Sequence, residues 1–258
     1  QRQMCIRDRG GTTLGDDAIT QSDATGGTSS GTATSVSDLT GLTAAAKNGG
    51  NVQLSGNITL TDTLSINNKK LSIDLNGHTI TAANNQRAFN INGGTLEIKD
   101  SVGNGIIQGN GTVTGHGGAI YMEGSGSALT ISGGTIQGFT ASTSGGGVYM
   151  SGGTFNMTGG AIENCTASEG AGVKMYPDSG NTCTFTMSDS AEIKNCSNDG
   201  VSIAWSGTSK FIMSGGTIDN NKGYGLWTSA YSNTEILLSG GTITNSERYD
   251  MVILQGVQ

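Results

Sequence analysis

Residues 211–219 read FIMSGGTID, and the phrase returns as LTISGGTIQ at 129–137, FNMTGGAIE at 155–163, FTMSDSAEIK at 185–194 and ILLSGGTIT at 236–244. The copies at 129, 155 and 185 open with alternating apolar and polar residues, and all five break at a corner usually built on Gly and resume at an Ile. The opening residues are Leu129, Phe155, Phe185, Phe211 and Ile236, at steps of 26, 30, 26 and 25. The closing residues are Ile136, Ile162, Ile193, Ile218 and Ile243, at steps of 26, 31, 25 and 25. A further column, here called the first, begins at Ile120, Val148, Val173, Val201, Leu226 and Val252, at steps of 28, 25, 28, 25 and 26. Three columns that share a period near 26 residues mark a solenoid. A unit of three short strands cannot bury its apolar face alone, so units must stack. Like strands then pair in parallel about 4.8 Å apart, and parallel crossovers are right-handed. The expected fold is all-β: a right-handed parallel β-helix with three-strand coils. The variable steps exclude a left-handed hexapeptide helix.

Alternation assigns faces. Ile120/Met122, Val148/Met150, Val173/Met175, Val201/Ile203, Phe155/Met157, Phe185/Met187 and Phe211/Met213 point inward. Met is pliable enough to fill gaps between unequal rungs. The glycines before each strand read as corners that need positive φ. Asn164, Asn195, Asn220 and Asn245 each follow a third-column Ile by two residues and read as a corner ladder of amides bonding from coil to coil.

The phrase Ser-Gly-Gly-Thr also occurs at 151–154, and Asn51–Leu60, Asp74–Ile80 and Gly94–Asp100 carry earlier, less regular coils. Ahead of them, Ser35–Asp38 has the form of a capping box. Val36, Leu39, Leu42 and Ala46 recur at helical spacing before Asn48-Gly49-Gly50. A helix over 35–49 is expected to cover the open end of the coil, whose strand edge would otherwise be unpaired. Residues 10–34 hold almost no large apolar side chain and read as a linker. Met4–Arg9 reads MCIRDR, which resembles the translation of a transposon-end sequencing adapter, so 1–9 is set aside as artefact. The β-helix is then expected to span 50–258, with an N-terminus truncated by the adapter and a C-terminus that reads as cut.

Composition agrees with a β-rich repeat. The 258 residues include 44 Gly and 1 Pro, only 13% are charged, and the net charge is −7. No apolar run is long enough for a transmembrane helix. An acidic chain without a basic stripe argues against nucleic-acid binding.

The phrases NVQLSGNITL, DLNGHTI, GTLEIKD and the SGGTI coils resemble bacterial surface β-helix proteins of the pectin-lyase-like superfamily. The GGAI at Gly117–Ile120 and Gly159–Ile162 is similar to repeats of autotransporter-type polymorphic outer-membrane proteins. The resemblance covers 35–258. It implies an adhesin-like, secreted or cell-surface protein with glycans or other cell-surface macromolecules as partners, acting as a monomer or as part of a longer chain. The same fold also carries polysaccharide lyases and glycosidases.

Site candidates follow from the outward columns. Tyr121, Tyr149, Lys174, Ser202, Trp227 and Ile253 face out on the first column. Aromatic faces along a flat sheet can stack on sugar rings, so Tyr121, Tyr149, Lys174 and Trp227 form the candidate ligand face. On the third column Glu163, Lys194 and Asp219 follow one another. Glu163 and Asp219 would stand about 10 Å apart across two coils, near the roughly 6.5–9.5 Å of inverting glycosidases. Lys194 would pair with both, as in a surface charge ladder. Gly115-His116-Gly117 is similar to an element of polygalacturonases, but the companion motifs are missing. Cys165 and Cys196 each follow a third-column Ile by three. They should stack on adjacent coils at a separation that suits a disulfide or a pair of buried thiols. No Cys/His spacing suggests a metal, and no cofactor is expected. The expectation is a non-catalytic extracellular stalk and display surface; the alternative is an enzyme acting on acidic polysaccharide.

Overall fold

The computed structural model describes residues 32–204, 207–229 and 233–253. The adapter-like 1–9 and all but the last three residues of the linker segment lie outside them. The described chain is a parallel β-helix whose strands stack in three columns, with one helix at its N-terminal side. Each coil runs through the second column, then the third, then the first.

The first column is an eight-stranded sheet: Leu64–Asn67, Phe89–Asn92, Ile120–Glu123, Val148–Met150, Val173–Met175, Val201–Ile203, Tyr224–Thr228 and Tyr249–Ile253. Its register joins Leu64, Phe89, Ile120, Val148, Val173, Val201, Leu226 and Met251. The eight rungs make seven turns, at steps of 25, 31, 28, 25, 28, 25 and 25 residues. The second column pairs Leu129, Phe155, Phe185, Phe211 and Ile236 as the repeat requires. The third pairs Ile136, Ile162, Ile193, Ile218 and Ile243. In the last two coils these columns fuse. Thr208–Asp219 and Asn233–Thr244 each pair along both columns, and the SGGT corner within them keeps positive φ at its second Gly, 80° at Gly216 and 85° at Gly241, with the register shifting there.

The inward residues form one continuous core. All the inward pairs named above are buried. Phe155 stacks on Phe185 with ring centres 4.5 Å apart, and Phe185 meets Phe211 at 5.3 Å. Stacked phenyls and pliable methionines therefore fill the axis of the coil.

Five local readings are corrected. At the last rung Leu226 pairs with Met251, so Val252, not Ile253, lies beneath Trp227. The run Met251–Leu254 is apolar throughout and carries no alternation to read; a 25-residue step and the stacking of Tyr224 on Tyr249 at 6.3 Å set its register. The helix is Leu39–Asn48 and Asp38 is its cap, accepting from the Gly41 amide at 2.8 Å. Thr34–Val36 is instead a strand paired in parallel with Gly50–Leu54. Leu42 and Ala46 bury the helix against Leu64–Asn67 and Gly50–Leu54, where it covers the first coil. The SGGT phrases do not all mark one corner: Ser151–Thr154 enters the second column, whereas the others lie between the second and third.

The last two corrections concern the glycines and the asparagine ladder. The second Gly of the corner at 132–135 does need positive φ, at 80°. Gly147, Gly172, Gly200 and Gly225, just before the first column, do not. There a Cβ would come within 2.4–2.6 Å of Cγ2 of Ile162, Ile193, Ile218 and Ile243. That glycine column packs on the isoleucine column, and close approach excludes a side chain. The Asn164, Asn195, Asn220 and Asn245 column is exposed and left-handed, with φ of 51–57°. Only Asn220 donates to the amide one coil back, Asn195, at 2.8 Å. Asn245 donates to Asp219 and Asn164 to Glu163.

Candidate functional site

The outer face of the first column runs Ser65, Asn90, Tyr121, Tyr149, Lys174, Ser202, Trp227 and Val252. Parallel pairing places one such residue on each rung. The four sequence candidates, Tyr121, Tyr149, Lys174 and Trp227, therefore lie on one line. They do not form an open aromatic shelf. Tyr149 is 6% exposed and Lys174 is 2% exposed.

The cover is a wall built from the segments that return from the third column to the first. These segments also stack. Thr112–Val113 pairs with Thr140–Ala141, Thr140 bridges to Thr166, and Ser144 bridges to Glu169. The wall carries Arg87, His116, Glu169, Asp199 and Arg248 beside the face.

At the middle of the face, His116 stacks on Tyr149 at 4.5 Å and Tyr149 stacks on Tyr121 at 5.3 Å. The Thr143 hydroxyl hydrogen-bonds Nδ1 of His116 at 2.9 Å. Burial, aided by Arg87, holds the His116 pKa below its ordinary value, which favours the neutral ring. Burial, aided by Tyr121, pushes the Tyr149 hydroxyl well up, so it stays protonated. The GHG triplet is thus part of this face, and among the described residues none of the companion motifs of the polygalacturonase pattern accompanies it.

Toward the C-terminal end, Lys174 Nζ pairs with Glu169 at 2.8 Å, donates to the Ser202 hydroxyl at 3.0 Å and reaches over the Trp227 ring at 5.7 Å. Glu169 remains 64% exposed. Beside them a cavity of about 250 Å³ is lined by Ser168, Glu169, Asn198, Asp199, Ser202, Tyr224, Trp227 and Arg248. Arg248 lies over the Tyr224 ring at 5.6 Å. Asp199 is 7% exposed and accepts from the Tyr224 amide at 3.0 Å. Burial raises its pKa and outweighs the opposing hydrogen bonds and the charges of Lys174 and Arg248. Aromatic rings, two carboxylates, a guanidinium and a hydroxyl thus converge on one cleft.

The third-column candidates assemble differently from expectation. The register brings Glu163, Lys194 and Asp219 together on successive rungs. Lys194 pairs with Glu192 on its own strand and with Glu163 at 3.7 Å. Asp219 takes the amide of Asn245 instead. The Glu192 hydrogen bond, more than any other contact, raises the Lys194 pKa. The reach of Lys194 along its own strand to Glu192 is what the column pattern did not show. Cys165 and Cys196 are free, fully buried thiols on adjacent coils. Their thiols donate to the Glu163 and Lys194 carbonyls at 3.4 and 3.5 Å; the neighbouring Cys196 thiol, then burial, raises the Cys165 pKa, and burial pushes Cys183 up to about 12. Such thiols are poor nucleophiles. Asn221 occupies the next position of that column. It is wholly buried, accepting from the Cys196 amide at 3.0 Å and donating to the Ile193 carbonyl at 3.3 Å.

Sequence reasoning missed Arg87, Glu169, Asp199, Tyr224 and Arg248. Their one shared signal was position: Arg87, Glu169, Asp199 and Arg248 each lie a few residues before a first-column strand, and Tyr224 opens one.

A family model for the right handed beta helix region matches residues 100–249, more than half of the chain. No curated protein and no solved structure matches it.

Proposed function

The chain belongs to the right-handed β-helix family, and from that premise we propose that it is a non-catalytic, glycan-binding stalk of a bacterial adhesin-like surface protein. It works outside the cell, and its partners are sugars displayed on other surfaces. The observation that carries this reading is the cleft beside Trp227. An indole and a phenol meet the apolar face of a sugar ring. Glu169, Asp199, Ser202 and Arg248 supply donors and acceptors for ring hydroxyls. The long parallel coil beneath keeps these groups at fixed spacing, so binding requires little ordering of the protein. A glycan array probed with wild type and Trp227→Ala tests the proposal. Binding should fall by about tenfold or more in the variant, as for loss of a central aromatic anchor. Equal binding by both proteins would refute the role of the cleft.

A second reading rests on Asp199. A buried carboxyl with a raised pKa beside another carboxylate is an arrangement that glycoside-cleaving enzymes use for proton donation. In that case the chain would act on acidic polysaccharide. New reducing or unsaturated ends on pectin or uronate polymers, lost in Asp199→Asn, would establish it. Asp199→Asn keeps an acceptor for the Tyr224 amide but cannot deliver a proton.

A further inference from the structure

Arg87 sits at the opposite end of the same face, in a setting its chain neighbours do not explain. Its Nη2 donates to the His116 carbonyl at 3.0 Å, and its guanidinium lies 4.9 Å from the centre of the Tyr121 ring. It is half-buried. Among the described residues no carboxylate lies within 4.0 Å of it. Glu123 acts on its charge from beyond that range. Withdrawing a charge from water without a paired counter-charge is costly, and a guanidinium presents five donors in a fork suited to oxyanions.

The space beside Arg87 is a recess of about 410 Å³, lined by Thr63, Ser65, Asn85, Gln86, Asn90, Val113 and Thr114 with Arg87 itself. Every neighbour but Val113 carries a hydroxyl or an amide. Asn90 lies on the face one rung before Tyr121, and its Oδ1 is buried with no hydrogen-bond partner. Buried polar atoms are normally satisfied, so an orphan acceptor calls for a donor.

We propose that this recess is an anion subsite of the glycan face, taking a sugar residue that bears a carboxylate or a sulfate. Arg87 holds the oxyanion and Asn90 Oδ1 accepts from a neighbouring sugar hydroxyl. The inference rests on the glycan reading above and adds the ligand's charge. Asn90 and Trp227 are five rungs apart, roughly 24 Å along the coil, so a chain laid along the axis can reach both the recess and the cleft.

Calorimetric titration with three oligosaccharides of one backbone tests it: uronate-bearing, sulfated, and neutral with the carboxyl reduced. Wild type should bind at least one acidic form about tenfold more tightly than the neutral form, as a charge-assisted contact implies. Which acidic form wins identifies the anion. Arg87→Gln should erase that preference, and so should Asn90→Asp, which changes no side-chain volume and places a negative charge in the recess. Trp227→Ala should weaken acidic and neutral forms alike. Equal binding of acidic and neutral forms by wild type, or a preference that survives both Arg87→Gln and Asn90→Asp, overturns the subsite and leaves the glycan face standing. Failure of all three sugars to bind overturns both.

Discussion

Asn164 stands at φ 54° on the exposed corner after the third column. Only Gly, and to a lesser degree Asn and Asp, enter that region readily. The requirement is conformational, since its amide reaches only the adjacent Glu163. Asn164→Ala should therefore cost about 1 kcal/mol, whereas Asn164→Gly should stay within about 0.5 kcal/mol of wild type. Urea midpoints at constant slope would measure both. Gly172 answers to a different constraint. A Cβ there would lie 2.4 Å from the Gly200 carbonyl oxygen and 2.6 Å from Ile193 Cγ2. Gly172→Ala should destabilise by about 1–3 kcal/mol through overpacking, seen in the same titration. Both positions stood out in the repeat by their spacing. Their reasons did not, because a left-handed φ and a close approach leave the same residue types in a sequence.

Rungs were legible because a two-residue alternation and a 26-residue step are both carried by apolar side chains. The element boundaries at either end were not. Val36 fits a helical stripe, yet it belongs to Thr34–Val36, whose backbone pairs with Gly50–Leu54. Pairing satisfies a strand edge that a longer helix would leave open. The helix therefore starts later, at the cap Asp38. Asp38→Ala should remove the bond to the Gly41 amide and cost about 1 kcal/mol. Hydrogen exchange should show faster opening of Leu39–Asn48 with the central rungs unchanged; uniform loss of protection would mean that helix and coil open as one unit. At the other end, two strands of 12 residues, Thr208–Asp219 and Asn233–Thr244, pair on through the corner. Their SGGT keeps the left-handed second Gly of the corner at 132–135, with φ of 80° at Gly216 and 85° at Gly241 against 80° at Gly134, so the phrase sets the turn and stacking on the neighbouring coil sets how far pairing extends.

Across the whole molecule, two buried aspartates set opposing pH dependences. Burial would raise Asp74, but hydrogen bonds from Ser101, Gln53 and Asn76 prevail and lower it. Its contribution is complete above the ordinary aspartate pKa of about 3.9 and is lost as pH falls through the lower folded value. Asp199 is raised, so its contribution is present below about 3.9 and is lost as pH rises through the folded value. Asp199→Asn should raise the melting temperature at pH 7 and leave it unchanged near pH 3. Asp74→Asn should lower it at pH 7, with the loss vanishing in acid. Thermal scans across pH check both signs. A gain in stability at Asp199 together with a loss of binding would mark it as a residue kept for function at a cost to the fold. The columns, the inward and outward faces and the line of outward residues through Tyr121, Tyr149, Lys174 and Trp227 could all be read from the chain, because each depends on a repeat that local alternation carries. The covering of Tyr149 and Lys174, the cleft at Asp199 and the solitary charge of Arg87 could not. Those depend on wall segments of unequal length and no common pattern, and only stacking coil on coil decides which of their side chains come to lie over the face.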